Sequence, residues 1–152
     1  MSQLQSALLC LNAGSSSVKF SLYQAVNGAP ELLFGGQIEG LLTRPHFKAT
    51  DAQGSTLNER HWDQPQRRSE AVETILEFVK SAAKGYKLTA VGHRVVLGGT
   101  EFPHSVVVND AVLEVLEHYA PIVPSHQPAE IESIRLLRAS HPDLTQVACF
   151  DS

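Results

Sequence analysis

The sequence has little charge of either sign and few cysteines. Asp, Glu, Lys and Arg make up 18% of its 152 residues, and the formal net charge is −4 at pH 7. Because no basic excess is present to attract nucleic acid or anionic lipid, we expect neither partner. The first residues carry no basic region, and the apolar run at residues 7–11 is too short for a signal peptide or a membrane span. A cytoplasmic protein is therefore expected.

The two cysteines and seven histidines form no metal-binding motif. Cys10 and Cys149 each lie in an apolar run, without the paired spacing of a zinc site or a redox couple. We expect both thiols to be buried and reduced, and a disulfide would require their strands to be neighbours. The histidines lack the short regular spacing of zinc ligands. A hydrophobic content of 43% is sufficient for one compact domain with its own core.

Apolar runs and period-two alternation predict antiparallel strands in the first half of the chain. A continuous apolar run predicts a strand covered on both faces, two further segments can pair with it as a meander, and a weaker pattern favours another hairpin. These segments are residues 7–11, 18–23, 31–40 and 47–62. Turn residues occupy 27–30 and 51–54, and residues 63–68 are predicted to be a connector.

Helices and strands alternate in the second half. Helical spacing of apolar residues begins at Ser69, the expected N-cap, and Gly85 lies just past the helix end. Asn109 can cap a second helix, and Pro128 suits the first turn of a third. The strands predicted here are residues 88–96 and 146–150, with a short apolar run at 106–108. The pattern indicates an α/β protein, with a mixed sheet and helices packed against it.

Small and hydroxyl-bearing residues follow the first strand. Residues 12–19 read Asn-Ala-Gly-Ser-Ser-Ser-Val-Lys, a segment whose small residues let backbone amides approach an anion. The hydroxyls of Ser15 and Ser17 can donate to that anion, and Lys19 adds positive charge. No Gly-Lys-Ser/Thr follows, so the segment is not a P-loop. Taken alone, it is compatible both with a phosphate site and with a hairpin turn of solvated serines.

Three further polar residues lie at strand or helix ends. Arg94 lies in an otherwise buried strand and needs an anionic partner, either a structural carboxylate or a substrate phosphate or carboxylate. His126 lies at a helix N-terminus, where the dipole favours anions, although a lone loop histidine can also be merely solvated. Asp151 follows the last strand and can bind magnesium, orient a nucleophile or cap a turn. Because open α/β sheets place their chemistry beyond the carboxyl ends of strands, we expect Asp151 to belong to a site and the chain to be part of a longer protein.

These segments together resemble the signatures of the acetate kinase family. The first signature is similar to residues 12–19, and the others are similar to residues 92–96, 124–128 and 150–152, so the resemblance covers the whole chain. The family shares the ribonuclease H-like lobes of the superfamily of actin, Hsp70 and sugar kinases. The resemblance implies that residues 1–152 form an amino-terminal lobe whose partner lobe is absent from this chain.

The resemblance also implies a reaction and the residues that perform it. ATP would transfer its γ-phosphoryl group reversibly to acetate, giving acetyl phosphate and ADP, with Mg2+ required. Arg94, His126 and Asp151 match catalytic positions, and Asn12 matches a position near the metal. The matches to substrate positions are Arg94, Val96 and Ser125 for the acyl substrate, and Ser15, Ser17 and Lys19 for phosphate or nucleotide. A homodimer is implied for the full-length protein, and the isolated lobe is expected to be inactive.

Three positions depart from the pattern of the family. Leu97, Ser125 and Gln127 stand where the family usually has histidine, leucine and asparagine. The resemblance makes acetate the expected substrate, and because the departure at Ser125 falls in the acyl pocket, a propionate or butyrate kinase is the alternative. A single-lobe protein that binds phosphate without catalysis is the alternative from another class.

Overall fold

A mixed β-sheet forms the centre of the molecule. A computed structural model describes residues 5–26, 29–96, 98, 102, 104–124 and 126–150. The strands are β1 (Gln5–Ala13), β2 (Val18–Val26), β3 (Ala29–Glu39), β4 (His46–Asp51), β5 (Thr56–His61), β6 (Tyr86–Val95), β7 (Val106–Val107) and β8 (Thr145–Phe150). They lie in the order β5-β4-β3-β2-β1-β6-β8-β7. The meander predicted for the first strands and the hairpin after it are both confirmed.

Three central strands run parallel and therefore end at the same edge of the sheet. Strand β1 pairs in parallel with β6, and β6 pairs in parallel with β8, whereas the other pairs are antiparallel. The meander β1–β3 followed by two parallel strands is the ribonuclease H-like arrangement that the resemblance implied. Its consequence is local: the carboxyl ends of β1 and β6 lie side by side, with Leu11 opposite His93.

Three α-helices connect the strands in the described part of the chain. They are α1 (Arg68–Ala82), α2 (Asp110–Tyr119) and α3 (Gln127–Ser140), and a 3-10 turn (Ala120–Ile122) follows α2. Asn109 caps α2 as predicted, because its side-chain oxygen accepts a hydrogen bond of 2.8 Å from the N–H of Val112. Pro128 lies in the first turn of α3, also as predicted. No helix in the described ranges is both long enough and apolar enough to cross a membrane.

The core lies between the helices and one face of the sheet. Alternate side chains of β1 and β2, among them Leu9 and Phe20, pack in one cluster with the apolar face of α1. A second cluster joins β6 and β8 to α2 and α3 through residues such as Leu116 and Ile134. Burial of these side chains is the main force holding the helices on the sheet.

The structure corrects three local predictions. Helix α1 begins at Arg68 and its N-cap is Arg67, not Ser69, because the Glu70 carboxylate accepts hydrogen bonds from the backbone N–H and the Nε of Arg67. Residue 68 is therefore helical and does not belong to a connector. Ala29 and Pro30, predicted to lie in a turn, pair with strand β2 as the start of β3. The other two residues predicted for that turn, 27 and 28, lie outside the described residues.

Strand β1 is covered on one face only among the described residues. Leu9 and Leu11 are buried, whereas Leu8 is 40% exposed and Cys10 is exposed. Cys149 is also exposed, and both cysteines are free. The prediction that β1 is covered on both faces and that both thiols are buried was therefore wrong, because the helices contact the opposite face. The pKa of the Cys10 thiol is raised, mainly by partial desolvation and to a smaller extent by the nearby Cys149.

Replacing Gly36 with alanine should strongly destabilise the sheet. A Cβ at Gly36 would lie 2.2 Å from the Lys48 carbonyl oxygen and 2.8 Å from the Ala49 Cα, so β3 and β4 would have to separate. We expect the free energy of unfolding to fall by about 3 kcal/mol, the upper range for overpacking. Urea denaturation measures this loss.

Gly54→Ala is the matched control for that substitution. Gly54 has a φ of +87° and no heavy atom within 4 Å of an added Cβ, so only backbone strain of about 1 kcal/mol is expected. A loss at Gly36 no larger than the loss at Gly54 would contradict the steric explanation.

Candidate phosphate site

A cavity of about 410 Å³ opens where β1 and β6 end and α3 begins. Six residues that were predicted to belong to a site line it together. They are Asn12, Ser17, Lys19, Arg94, Val96 and His126. Residues more than 100 positions apart in the sequence meet at this cavity because the parallel strands end at the same edge of the sheet, as the rule for α/β sheets predicts. Ser15 is exposed beside the cavity, and Ser125 and Asp151 lie outside the described residues.

The phosphate turn, residues 14–17, directs its carbonyl groups into hydrogen bonds with the protein. The Ser17 carbonyl accepts from the Gly14 N–H at 2.8 Å, and the Ser16 carbonyl accepts from the Leu41 N–H at 3.0 Å. The remaining two carbonyls, of Gly14 and Ser15, accept from the Arg68 guanidinium at 2.7 and 3.0 Å. A Cβ at Gly14 would lie 3.1 Å from Ser17 Oγ, so any larger residue there would require the Ser17 side chain to shift.

The three amides that follow Gly14 in the phosphate turn have no such partners in the described part of the chain. Within the part of the chain that the structure describes, the N–H groups of Ser15, Ser16 and Ser17 donate no hydrogen bond. Successive backbone amides left in this way form a concave donor surface that suits an anion. Lys19 pairs with Asn12 across β1 and β2, so a cation stands next to the turn.

Arg94 and Val96 lie at the end of β6. Residues of β6 alternate between the two faces of the sheet, so His93 and Val95 are buried and Arg94 is exposed towards the cavity. The expectation of a guanidinium within a buried strand is thereby corrected: its neighbours are buried, but the alternation turns Arg94 outwards. The Val96 N–H donates a hydrogen bond of 3.0 Å to the carboxylate of Glu130, which is only 3% exposed. This bond fixes the backbone after β6 against helix α3.

His126 occupies the N-cap position of α3 and is exposed at the cavity. Its carbonyl oxygen accepts a hydrogen bond of 3.2 Å from the Glu130 N–H, and its side chain makes no capping hydrogen bond. The positive end of the dipole of a 14-residue helix therefore points into a cavity that already contains Arg94 and Lys19. Such a cavity favours an anionic ligand.

His93, the neighbour of Arg94, has a structural role. It is buried, and its Nε2 lies 2.6 Å from the Oε1 of Gln146, which is an acceptor, so Nε2 carries the proton. Burial lowers the pKa of His93 to about 4, against the opposing effect of the Gln146 hydrogen bond. The imidazole is therefore neutral near pH 7 and ties β6 to β8.

Two residues at the site were not predicted from the sequence. Glu130 lines the cavity, and Arg68 holds the phosphate turn from the start of α1. Glu130 follows His126 by one helical turn, a spacing that could have indicated a shared helix end. No signal in the sequence connects Arg68 with a turn more than 50 residues earlier.

A cluster of side chains that could bind a metal ion lies outside the cavity. Only His46, Glu59 and His61 bring three His, Cys, Asp or Glu ligand atoms within 4.8 Å of one another among the described residues. They lie on the β4–β5 hairpin, away from the cavity. Of the side chains that line the cavity, those of Asn12, Ser17 and Glu130 carry oxygen atoms that could face a metal ion.

Parallel strands that end at a cavity of amides and cations are typical of α/β proteins that bind anionic ligands at the carboxyl edge of the sheet. Residues 7–152 match the model of the acetokinase family, and the chain belongs to that family.

Individual relatives agree with this assignment. The acetate kinase of Rhodopseudomonas palustris (strain TIE-1) is 38% identical over 151 residues, which are 98% of this chain and 38% of the relative. The crystal structure of Porphyromonas gingivalis acetate kinase matches with a TM-score of 0.84 and 32% identity, covering 96% of this chain and 37% of that one. A propionate kinase from Francisella tularensis matches with a TM-score of 0.82, the same 32% identity and the same coverage. The chain thus spans less than two fifths of the length of these relatives.

Proposed function

We propose that this chain is the amino-terminal lobe of an acetate kinase and supplies one wall of its active site. The observation that carries the proposal is the cavity where the amides of the phosphate turn meet Arg94 and His126. Its parent enzyme would transfer the γ-phosphoryl group of ATP reversibly to a short carboxylate. The family membership and the names of the relatives support this reaction.

Phosphoryl transfer depends on positioning and on neutralising charge, and the cavity offers both. Arg94 can hold two oxygens of the transferring group with its planar guanidinium, and His126 can donate a third hydrogen bond from the helix end. Lys19 and the turn amides would hold the phosphates of the nucleotide. Asp151 is proposed, by resemblance, to complete this set as a catalytic carboxylate.

Mg2+ fits the oxygen donors of the cavity. The metal prefers carboxylate and carbonyl oxygens together with substrate phosphates, and Asn12 offers its side-chain carbonyl beside the phosphate turn. When bound, the ion would neutralise phosphate charge. We propose Asn12 as the residue of this lobe that lies beside it.

The acyl group would lie against Val96, with Ser125 as the second proposed contact. Acetate is the proposed substrate, and propionate is the alternative because one structural relative of equal identity is a propionate kinase. Relative kcat/KM values for acetate, propionate and butyrate distinguish these, since a methylene in an apolar pocket changes discrimination by about 10-fold or more.

The rest of the site is proposed to come from residues beyond this chain. Because the chain covers 38% of the length of its relative, we expect it to form no acyl phosphate alone. The full-length protein is proposed to be a cytoplasmic homodimer. A phosphate-binding protein without catalysis is the second candidate.

The test is acyl phosphate formation by the complete product of the gene. Given ATP, Mg2+ and acetate, it should form acetyl phosphate, trapped as the hydroxamate, whereas residues 1–152 alone should form none. A complete product that forms no acyl phosphate from acetate, propionate or butyrate would reject the enzyme. Phosphate binding by that inactive product would favour the second candidate.

A further inference from the structure

We propose that Arg68 is a positioning residue that aims the amides of the phosphate turn into the cavity. The proposal rests on the proposed function, because it assigns a purpose to a turn that binds phosphate. Arg68 is the first residue of α1, and its side chain is 11% exposed. It does not line the cavity and would not touch the ligand.

The contacts of Arg68 lie on the outer side of the turn. Its Nη2 donates to the carbonyl oxygen of Gly14 at 2.7 Å and to that of Ser15 at 3.0 Å. A trans peptide group is planar, with its C=O and the following N–H pointing in opposite directions. Holding the Gly14 oxygen therefore orients the Ser15 N–H, and holding the Ser15 oxygen orients the Ser16 N–H.

The third amide of the turn is oriented by a different residue. The Ser16 carbonyl accepts from the Leu41 N–H, so the same geometry directs the N–H of Ser17 without help from Arg68. This division makes the proposal specific: loss of the guanidinium should release two amides and leave the third in place.

Arg68 also connects the two walls of the cavity. Its Nη1 donates to the Glu132 carboxylate at 2.7 Å, and Glu132 lies on α3, the helix that begins beside His126. One planar fork thus joins the phosphate turn of one wall to the helix of the other. A lysine cannot reproduce this arrangement, because a single ammonium replaces three directed contacts with a point charge.

The experiment titrates inorganic phosphate into 15N-labelled residues 1–152 at constant ionic strength. Signals of the Ser15, Ser16 and Ser17 amides should shift together in the unmodified chain. We expect Arg68→Met to weaken phosphate binding about 10-fold, because the released turn amides no longer donate well to the phosphate. A factor of about 10 corresponds to the loss of one hydrogen bond to a charged group. Arg68→Lys, which keeps the charge, should fail to restore the affinity.

Backbone relaxation gives a readout that general destabilisation would not reproduce. In Arg68→Met without ligand, the order parameters of the Ser15 and Ser16 amides should fall from about 0.85 to below about 0.6, while that of Ser17 stays high. Arg135→Met is the matched control. Its guanidinium pairs with Glu117 on α2 and makes no hydrogen bond to the turn in the described structure, so binding and order should remain unchanged.

The outcomes separate this proposal from the one before it. Normal phosphate shifts in the unmodified chain, with unchanged affinity and unchanged amide order in Arg68→Met, would overturn the role of Arg68 alone. No phosphate shifts in the unmodified chain would overturn both the phosphate site and this role. If Arg68→Met does not fold, Arg68→Lys decides: wild-type affinity and order in that variant would reject the role.

Discussion

Replacing Arg94 with alanine in the complete gene product is expected to lower kcat/KM for acetyl phosphate formation by about 10³-fold. The estimate follows from the loss of one preorganised charge clamp on a transferring phosphoryl group. Arg94 is the penultimate residue of β6 and lines the cavity together with residues of the phosphate turn and the start of α3. A group that stabilises mainly the transition state should affect kcat more than KM.

Arg94→Lys tests whether geometry or charge is responsible. Lysine keeps the positive charge but cannot hold two phosphoryl oxygens in one plane, so we expect most of the activity to remain lost. Because Arg94 is exposed, neither variant should lower the free energy of unfolding by more than about 1 kcal/mol. Arg138→Ala, which removes an arginine paired with Asp110 on the helical side, is the control and should keep full activity.

Two results would contradict the assignment of Arg94. An Arg94→Ala enzyme with near-normal kcat/KM would remove this residue from the transition-state site. An Arg94→Ala enzyme whose loss is matched by unfolding, measured by circular dichroism, would show a structural role in its place. The paired stability measurement distinguishes the second result from catalysis.

Much of the site was accessible from the sequence because its parts are local signatures at strand ends. Each of the segments around Asn12, Arg94 and His126 carries small or polar residues directly after an apolar run or before a helix. The shared edge of parallel strands then brings the segments together without any information about distant contacts. The strands of the sheet and its meander were predicted from the hydrophobic pattern, which is also local information.

The partners that position the site were not accessible in this way. Arg68 contacts Gly14 of the phosphate turn, which lies 54 residues earlier in the sequence. It also contacts Glu132, which lies 64 residues later. Such contacts depend on how α1 and α3 are placed on the sheet, which local spacing does not encode. Before the fold was known, Arg68 could be assigned only to a polar connector.

Which face of strand β1 is exposed could not be predicted, because the strand is uniformly apolar. In β1 both faces carry apolar side chains, so the period-two signal that distinguishes an exposed face is lost, and Leu8 and Cys10 appeared to be buried. Their exposure comes from the placement of the helices on the opposite face. In β6 the alternation was similarly obscured by valines, which made Arg94 appear to lie within the core.

Acidification should destabilise this fold through a single buried histidine. His93 has its pKa lowered from 6.5 to about 4 by burial, so the folded chain holds the neutral imidazole. Once unfolded, the same side chain takes up a proton near pH 6.5. The unfolded state therefore binds more protons between pH 6.5 and 4, and the free energy of unfolding falls as the pH is lowered through that window.

The expected loss from His93 is about 3 kcal/mol between pH 7 and pH 4, obtained from the pKa difference at about 1.4 kcal/mol for each pH unit. Urea denaturation at several pH values measures it. His93→Gln removes the titrating group, so its unfolding free energy should lack this part of the pH dependence, even if the variant is less stable at pH 7. The six other histidines remain in both proteins, and the difference between the two curves isolates His93.

Identical pH dependence in the two proteins would contradict the structural assignment of His93. The predicted result has a consequence for the site, because His93 lies next to Arg94 and its Nε2 joins β6 to Gln146 of β8. Protonation of His93 adds a buried charge at this junction, where the neutral ring donates to the Gln146 oxygen. As the pH is lowered, the sheet edge that holds Arg94 and Val96 should therefore open before the meander does. Hydrogen exchange at pH 4 to 6 should detect this order as earlier loss of protection in the β6 and β8 amides.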